Sequence, residues 1–357
     1  MIKISAYAEL RFLHGGEGIT LSEIVPLLEQ IREHGSIAAA AEHIGLSYRH
    51  AWGRLRAMEL LLGGALIAKS RGRGSVLSDL GEKLLWAQRL SNERLQHVLG
   101  TLSLEVSQEL NKLLLPTGEG ARIHASHGYA VDALVNALQA RDTEVDLRYR
   151  DSGEAVAALA RGECDLAGFH LPCGEFRESC AAVFRPLLDD DVHVLIHLTR
   201  RKQGLFVAQG NPKGVVSLQD MSRTDMRFVN RQRGSGTRML LDLLLRRSGV
   251  DPDQVHSQAS TELTHSAIAA FVASGMADLG FGVEPAARHF GLEFIPIVDE
   301  DYYFACERAK LDAEPLKTIL SILQSDPFKT IVNALAGYDG ELCGRLFAVE
   351  DGLAHPA

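Results

Sequence analysis

The residues best suited to chemistry lie in one block, MRFVNRQRGSGTRMLLDLLL, residues 226–245 of a 357-residue chain. A strand over 227–230 is expected to run into a glycine and hydroxyl loop that opens an amphipathic helix. The first turn of a helix offers unpaired backbone N–H groups and a partial positive charge. Gly234 and Gly236 would let an anion approach that backbone, Ser235 and Thr237 add hydroxyl donors, and Arg231, Arg233 and Arg238 supply charge. This is an anion cradle. No Gly-Lys-Ser/Thr follows it, so it is not a Walker A loop.

Facing groups are expected from Ser126, His127, Ser152 and His170 at strand ends, with Asp151 the one carboxylate nearby. A site rich in hydroxyls, helix N-termini and arginine but poor in acids selects a small anion. Nothing lines it with aromatics for a large ring. His124, His193 and His197 read as ordinary strand residues, while His265 either caps a helix or touches ligand. Ser126 and His127 are adjacent rather than facing, so no nucleophile–base pair is in place. No catalytic residue is assigned, and the chain reads as a binder, not an enzyme. The five cysteines, Cys164, Cys173, Cys180, Cys306 and Cys343, are irregularly spaced without a CxxC pair. Free thiols, no metal site and no cofactor are expected beyond the small anionic effector.

A second concentration of chemistry lies near the N-terminus. The chain is 46% apolar and 23% charged with a net charge of −9, ordinary for a globular protein. Residues 49–73 nevertheless set six cations against Glu59 alone, a local +5 that leaves −14 for the rest. A small basic face on an acidic chain suits local contact with the phosphates of double-stranded DNA. Ser47, Arg49, His50 and Arg54 fall on one helix, and Arg71 and Arg73 lie at the tip of the hairpin ALIAKSRGRGSVLS. A groove-binding module needs them in those places.

Periodicity supplies the elements that hold these groups. Residues 2–12 alternate as a strand. Ser22 can cap a helix carrying Ile24, Leu27, Leu28 and Ile31, and Gly35 ends it. Ser36 caps the short helix IAAAAEHI, Gly45 closes it, and Ser47 caps a third whose inward stripe is Ala51, Leu55 and Met58. Three helices and a hairpin make a winged helix-turn-helix over 1–78. Residues 79–120 then form a long helix and a hinge. Leu95, Leu99, Leu102, Val106, Leu110 and Leu113 make a near-heptad seam, with Gly100 a mild objection and LLPTGEG the hinge at 114–120. One apolar stripe needs a partner, most simply its twin. A homodimer matching two half-sites on DNA is expected, with tetramers left open.

From Ala121 strands and helices alternate, which predicts an α/β domain over 121–340 whose parallel sheet carries its loops at the carboxyl edge. AVAALARGECDLAGF at 155–169 recurs as AIAAFVASGMADLGF at 267–281. Two lobes built on one plan follow: lobe 1 over about 121–202 and 297–340, lobe 2 over about 203–296. Two crossings would link them, the second a strand around Tyr302–Cys306. The tail, 341–357, reads as loosely ordered.

GSIAAAAEHIGLSYRHAWGRLRAME and the wing SRGRGSVLSDLGEKLL resemble the ModE family of molybdate-responsive regulators and, more distantly, the LysR type. That resemblance implies DNA binding as a dimer through Ser47, Arg49, His50 and Arg54, with Arg71 and Arg73 on the wing. GEAVAALARGECDLAGFHLP, QGLFVAQGNPKG and FVNRQRGSGTRMLLDLLL are similar to PBP-like domains, relatives of oxyanion-binding proteins for tungstate and molybdate. This implies a two-lobed, type II periplasmic-binding-protein-like fold. Ser126, Ser152, Arg231, Ser235 and Thr237 would hold the anion, with His170 at the cleft edge. The combined expectation is a one-component transcriptional regulator sensing a small anion, such as molybdate or tungstate. Formate or another small organic acid fits the same site. The rival classes are an oxyanion-delivery protein without DNA binding and an enzyme on this fold. No apolar run reaches the ~18–20 residues of a membrane span, and the N-terminus lacks a signal-peptide core, so a cytoplasmic chain without membrane contact is expected.

Overall fold

The computed structural model describes residues 4–14, 17–70, 74–114, 120–141, 143–232 and 235–354. The chain divides into two compact units, one of residues 5–100 and one from residue 101 onward that also takes in Ile4. The wing tip with Arg71 and Arg73, the hinge at 115–119, and Arg233 and Gly234 lie outside the described residues.

The first unit opens with a hairpin, β1 (Arg11–His14) and β2 (Glu17–Thr20), followed by α1 (Leu21–His34), α2 (Ile37–His43) and α3 (Tyr48–Leu62). A second hairpin, β3 (Ile67–Ser70) and β4 (Gly74–Leu77), leads into α4 (Asp79–Leu114). Leu21, Ile24, Leu27, Leu28 and Ile31 of α1 meet Ala40 and Ala41 of α2 and Ala51, Leu55 and Met58 of α3 in one core, which Leu84 and Leu85 of α4 complete. The alanines of α2 matter because small side chains let α1 and α3 pack closely. Ser36 and Ser47 cap α2 and α3 by accepting from Ala39 N and His50 N.

Two local expectations fail here. Of the residues expected as a strand over 2–12, 2 and 3 lie outside the described residues and 4–10 are not in a strand: pairing begins only at Arg11, opposite Thr20, because the partner strand is four residues long. Ser22 is not the cap of α1 either. Thr20 holds that position, and the Ser22 hydroxyl donates instead to Glu9 Oε1 at 2.7 Å. Helix α4 runs through Gly100 without a break. Among the described residues, no helix is long and apolar enough to cross a membrane.

The second unit alternates as expected: β5 (Ala121–Ala125), α5 (Tyr129–Gln139), β6 (Val145–Tyr149), α6 (Ser152–Ala160), β7 (Leu166–Pro172) and α7 (Arg177–Ala181). Then come β8 (His193–Val207), β9 (Phe228–Arg231), α8 (Gly236–Arg247), β10 (Ser257–Glu262), α9 (His265–Ala273), β11 (Leu279–Val283) and α10 (Glu284–His289). The chain returns through β12 (Glu293–Glu307), α11 (Leu316–Gln324), α12 (Asp326–Asn333), β13 (Tyr338–Asp339), β14 (Leu346–Phe347) and α13 (Val349–Ala354). One sheet holds them in the order β10-β9-β11-β8-β12-β7-β5-β6, with β13 and β14 added on β8. Parallel triplets at each end, β6-β5-β7 and β10-β9-β11, belong to the two lobes. Between them, β8 and β12 pair antiparallel over 15-residue strands that pass through both lobes. The second crossing is therefore one strand starting at Glu293, not a short one near Tyr302.

The sequence echo has a physical basis. Arg122, in β5, grips Asp165 through its side chain at 2.8 Å and donates to Gly162 O at 3.0 Å; its backbone N also donates to Asp165. Arg227, just before β9, treats Asp278 and Gly275 O in the same way, at 2.8 and 2.9 Å. Gly162 and Gly275 both take the left-handed conformation, φ 71° and 72°, that lets each helix end and expose the carbonyl its arginine needs.

The tail contradicts its expected looseness. Leu346–Phe347 adds to β8 at Ile196 and Leu195, and Val349 and Leu353, one helical turn apart, are buried in the core on one face of the sheet. Arg177 locks the end by donating to Gly352 O and Leu353 O, at 2.6 and 3.2 Å. We expect Leu353→Ala to lower stability by about 2–5 kcal/mol, read as a lower urea midpoint; an unchanged midpoint would mean that the tail contributes nothing.

Candidate functional site

In the N-terminal unit, α3 presents Arg49 and His50 to solvent. The other two helix residues expected at DNA are engaged internally. The Ser47 hydroxyl accepts from His50 N at 3.2 Å, and Arg54 Nη1 donates to Glu23 O of α1 at 3.2 Å. Beside Arg49 runs a stripe that residue-type reasoning passed over. Tyr48, 54% exposed, stacks on Trp52, 38% exposed, and the Arg56 guanidinium lies 4.9 Å from the Trp52 ring centre. Its signal was the i, i+4, i+8 spacing of 48, 52 and 56 on the flank of the inward residues.

In the C-terminal unit the strand ends of the two lobes face each other. The crossing contact is direct: Tyr129 Oη, at the start of α5, lies 3.0 Å from Ser266 Oγ in the first turn of α9. Lobe 1 contributes Ser126, whose hydroxyl lies 2.8 Å from His170 Nε2, and Ser152, whose hydroxyl accepts from the His170 backbone N at 3.4 Å. Lobe 2 contributes Arg231 at the end of β9, then Ser235, which caps α8 by accepting from Arg238 N at 3.3 Å, exposed Gly236 and buried Thr237. The shared strands contribute Arg201 from β8 and Glu300 from β12, cross-strand neighbours joined at 2.8 Å. Arg201 sits against the backbone of Gly128, where a Cβ would come within 3.5 Å of its Nη1.

Charge in this cleft is unevenly paired. Arg201 is held by Glu300, which also accepts from Gln203 at 2.7 Å. Burial pushes the Glu300 carboxyl up, but His170, Arg201 and Gln203 outweigh it and hold it below its usual range. Among the described residues Arg231 forms no ion pair with a carboxylate. Its Nε is sealed from solvent without a hydrogen bond among the described residues, and burial, then the nearby Arg201, pull its guanidinium down to about 10. It stays protonated at neutral pH. Burial holds His170 neutral, lowered to about 4, and burial with Arg231, Arg201 and His170 holds His265 well below its usual value.

Several readings from sequence need correction. His127 does not face the cleft partners of Ser126; it stacks flat on Tyr149, ring centres 3.3 Å apart. Ser126 finds His170 instead, across 44 residues, so a serine and an imidazole do pair in the cleft. His170 Nδ1 has no acceptor among the described residues, and no third group orients the ring as a general base. Arg238 is spent on Asp242 at 2.9 Å. Thr264, not His265, caps α9 by accepting from Ala267 N at 3.1 Å, and His265 is buried with Nδ1 against Gly282. The cleft is not free of acids, because β12 brings in Glu300. Tyr129, whose hydroxyl meets Ser266 of the opposite lobe, gives it an aromatic wall that the loop residues did not suggest. Among the described residues no cluster of three or more His, Cys, Asp or Glu could hold a metal, and the five cysteines are free thiols.

Two family models match the chain. The PBP superfamily domain matches residues 135–324, and the bacterial regulatory helix-turn-helix proteins of the lysR family match residues 25–82. The chain is 33% identical over 232 residues to the uncharacterized protein YvgK of Bacillus subtilis (strain 168), an overlap of 65% of this chain and 75% of that protein. It is 33% identical over 155 residues to the molybdenum-pterin-binding protein MopB of Rhodobacter capsulatus, 41% of this chain and 56% of that protein. Among solved structures, a hydrogen-peroxide-bound mutant of Corynebacterium glutamicum OxyR aligns with a TM-score of 0.45 at 16% identity, covering 88% of this chain and 94% of that one.

Next to the cleft residues on the shared strands lies a second ionic cluster. Asp301, fully buried, accepts from Arg177 at 3.0 Å and Arg200 at 2.9 Å, with His197 Nε2 at 3.3 Å. Burial pushes its carboxyl up, but His197 and Arg200 outweigh it and hold it far below the usual range. Asp301 thus binds protons less readily in the fold than in the unfolded chain. Its stabilisation is complete above about pH 4, the ordinary carboxylate value, and is lost as pH falls toward the lowered native value. Asp301→Asn should lower stability at neutral pH and flatten the acid arm of a urea-midpoint profile. A parallel acid arm would place the loss elsewhere.

Proposed function

The chain belongs to the PBP superfamily and carries a LysR-family regulatory helix-turn-helix at its N-terminal end, and from that premise we propose that it is a transcription regulator whose cleft senses a small oxyanion of the molybdate or tungstate type. The LysR-family match makes it a regulator rather than an enzyme. The observation that carries the anion is Arg231: a guanidinium largely removed from solvent that pairs with no carboxylate among the described residues, beside a second arginine, at the end of β9 ahead of α8. An uncompensated buried charge costs several kcal/mol. An anion between the lobes removes that cost, while the Ser235 and Thr237 end of α8 adds backbone donors and a partial positive charge. Arg231 can be hydrated when the lobes part, so anion binding favours the closed arrangement, which is the differential affinity any ligand switch requires. The similarity to MopB, a protein named for binding a molybdenum compound, favours molybdate within this class.

DNA is the second partner, met by Arg49 and His50 at the start of α3 and by the wing with Arg71 and Arg73. Such a protein works where DNA is, in the cytoplasm. The seam on α4 gives the means of pairing two chains: Leu95, Val98, Leu102, Val106 and Leu110 are all exposed, Leu102 by 49%, and a twin helix would cover them.

Arg231→Ala should abolish the thermal shift that molybdate or tungstate produces and leave DNA binding intact; an equal shift in variant and wild type would remove the basis of the anion assignment. Arg49→Ala should weaken binding to a DNA fragment selected by the wild type and reduce the salt slope by about 1. An unchanged gel-shift midpoint would take Arg49 out of the interface.

A further inference from the structure

Tyr48, Trp52 and Arg56 stand at successive turns of α3, and each is braced by the next. The Tyr48 and Trp52 rings lie within 12° of parallel, with centres 6.3 Å apart. The Arg56 guanidinium lies 4.9 Å from the centre of the Trp52 ring, and its Nη1 donates to Glu59 Oε2 at 3.1 Å. Glu59 is fixed in turn, because its other oxygen accepts from Leu66 N at 2.8 Å, just ahead of β3. The row therefore ends in a carboxylate that offsets the Arg56 charge. What it presents to solvent is an apolar plate held from behind.

Two features of this plate have no use inside the fold. Large aromatic rings left exposed forgo the burial that makes them stabilising, and neither ring belongs to the core that Ala51, Leu55 and Met58 of the same helix enter. Beside them Gly53 is exposed in the helix interior, where glycine is the least favourable residue after proline. No described atom lies within 4 Å of the place its Cβ would take, so packing within the chain does not require it bare. A bare stretch of helix beside a rigid plate suits a partner that approaches closely.

Charge selects that partner. Arg49 and His50, next to Tyr48, are exposed, and residues 49–73 carry the local surplus of +5 that suits phosphates. Two of the three arginines on α3 are already engaged by the chain, Arg54 at Glu23 O and Arg56 at Glu59. The helix thus offers a base edge more ring than cation. In the major groove thymine displays a methyl group, the apolar mark among the hydrogen-bonding edges.

We propose that the Tyr48 and Trp52 plate reads thymine methyl groups in the major groove, with Gly53 admitting the edge of the base pair. This rests on α3 being the helix that meets DNA, and it names what that helix reads. Sequence preference at these positions then comes from apolar contact, and Arg49 contributes to affinity.

The test uses the full chain and a duplex that it selects from random sequence. Each thymine of that duplex is replaced in turn by deoxyuridine, which removes the methyl group alone. At least one replacement should weaken wild-type binding about fourfold, the effect of one buried methyl. In Trp52→Ala, and separately in Tyr48→Ala, the same replacement should cost nothing further, whereas Tyr48→Phe, which keeps the ring, should retain the whole effect. Titration at low salt, where phosphate contacts hold the complex, keeps the weaker variants measurable. A wild type indifferent to every methyl overturns the proposal and leaves a DNA-binding regulator, because phosphate contacts and an indole N–H bonded to a base survive demethylation. An equal methyl effect in both alanine variants overturns it as well. Loss of the oligomer in Trp52→Ala with the methyl effect intact would assign the plate to a protein interface instead. Failure of the wild type to select any sequence removes the DNA reading and the proposal together.

Discussion

The pairing of β8 with β12 is the constraint on which the C-terminal unit depends. Two adjacent residues on each strand form two cross-strand ion pairs, Arg201 with Glu300 and Arg200 with Asp301, and these are register partners. The first pair serves the cleft. The second joins Arg177 and His197 and, through Arg177, ties down the C-terminal residues Gly352 and Leu353. A strand slipped by one residue would exchange these environments, leaving buried charges against the wrong neighbours, so the register is strongly specified. Both strands also belong to both lobes, which makes this doubly locked ribbon the fixed reference for each.

Much of this was legible because it is local. Caps, glycines and apolar spacing from Ser36 to Met58 describe a helix-turn-helix without reference to distant residues, and the echo of 155–169 in 267–281 announces two lobes. Its meaning is structural: in each copy an aspartate and a helix-ending glycine carbonyl receive one arginine from the neighbouring strand. The glycine and hydroxyl block after Arg231 was also legible as a helix start, and Ser235 caps α8 there.

What stayed hidden is non-local. Arg201 and Glu300 are 99 positions apart and sit in strands whose other residues are mostly apolar, so neither advertised a partner. Ser126 lay beside His127 in the sequence, but a β-strand end sends adjacent side chains apart, and the ring that reached Ser126 was His170 on the next strand. The tail misled through its polar and glycine content. The two residues that hold it, Val349 and Leu353, form a stripe of only one turn, too short to outweigh that composition. His50 and Arg49 could be placed outward from periodicity alone, yet the same periodicity could not show that Arg54 would bend back to Glu23 O.

The two cleft arginines divide the work, and the division follows from their partners. Arg201 is neutralised by Glu300 on a strand common to both lobes, so its surroundings change little if the lobes move. Arg231 belongs to lobe 2 alone, and its cost arises from burial and from the proximity of Arg201. In the proposed sensor, opening the cleft would relieve both, and closing it on an anion would relieve both in another way. Closing it empty relieves neither. A switch needs one group whose energy differs between its states by more than its surroundings can absorb, and in the proposed sensor Arg231, beside a fixed charge of the same sign, would be that group. His170 and His265, held neutral by burial, add no further positive charge beside Arg201 and Arg231.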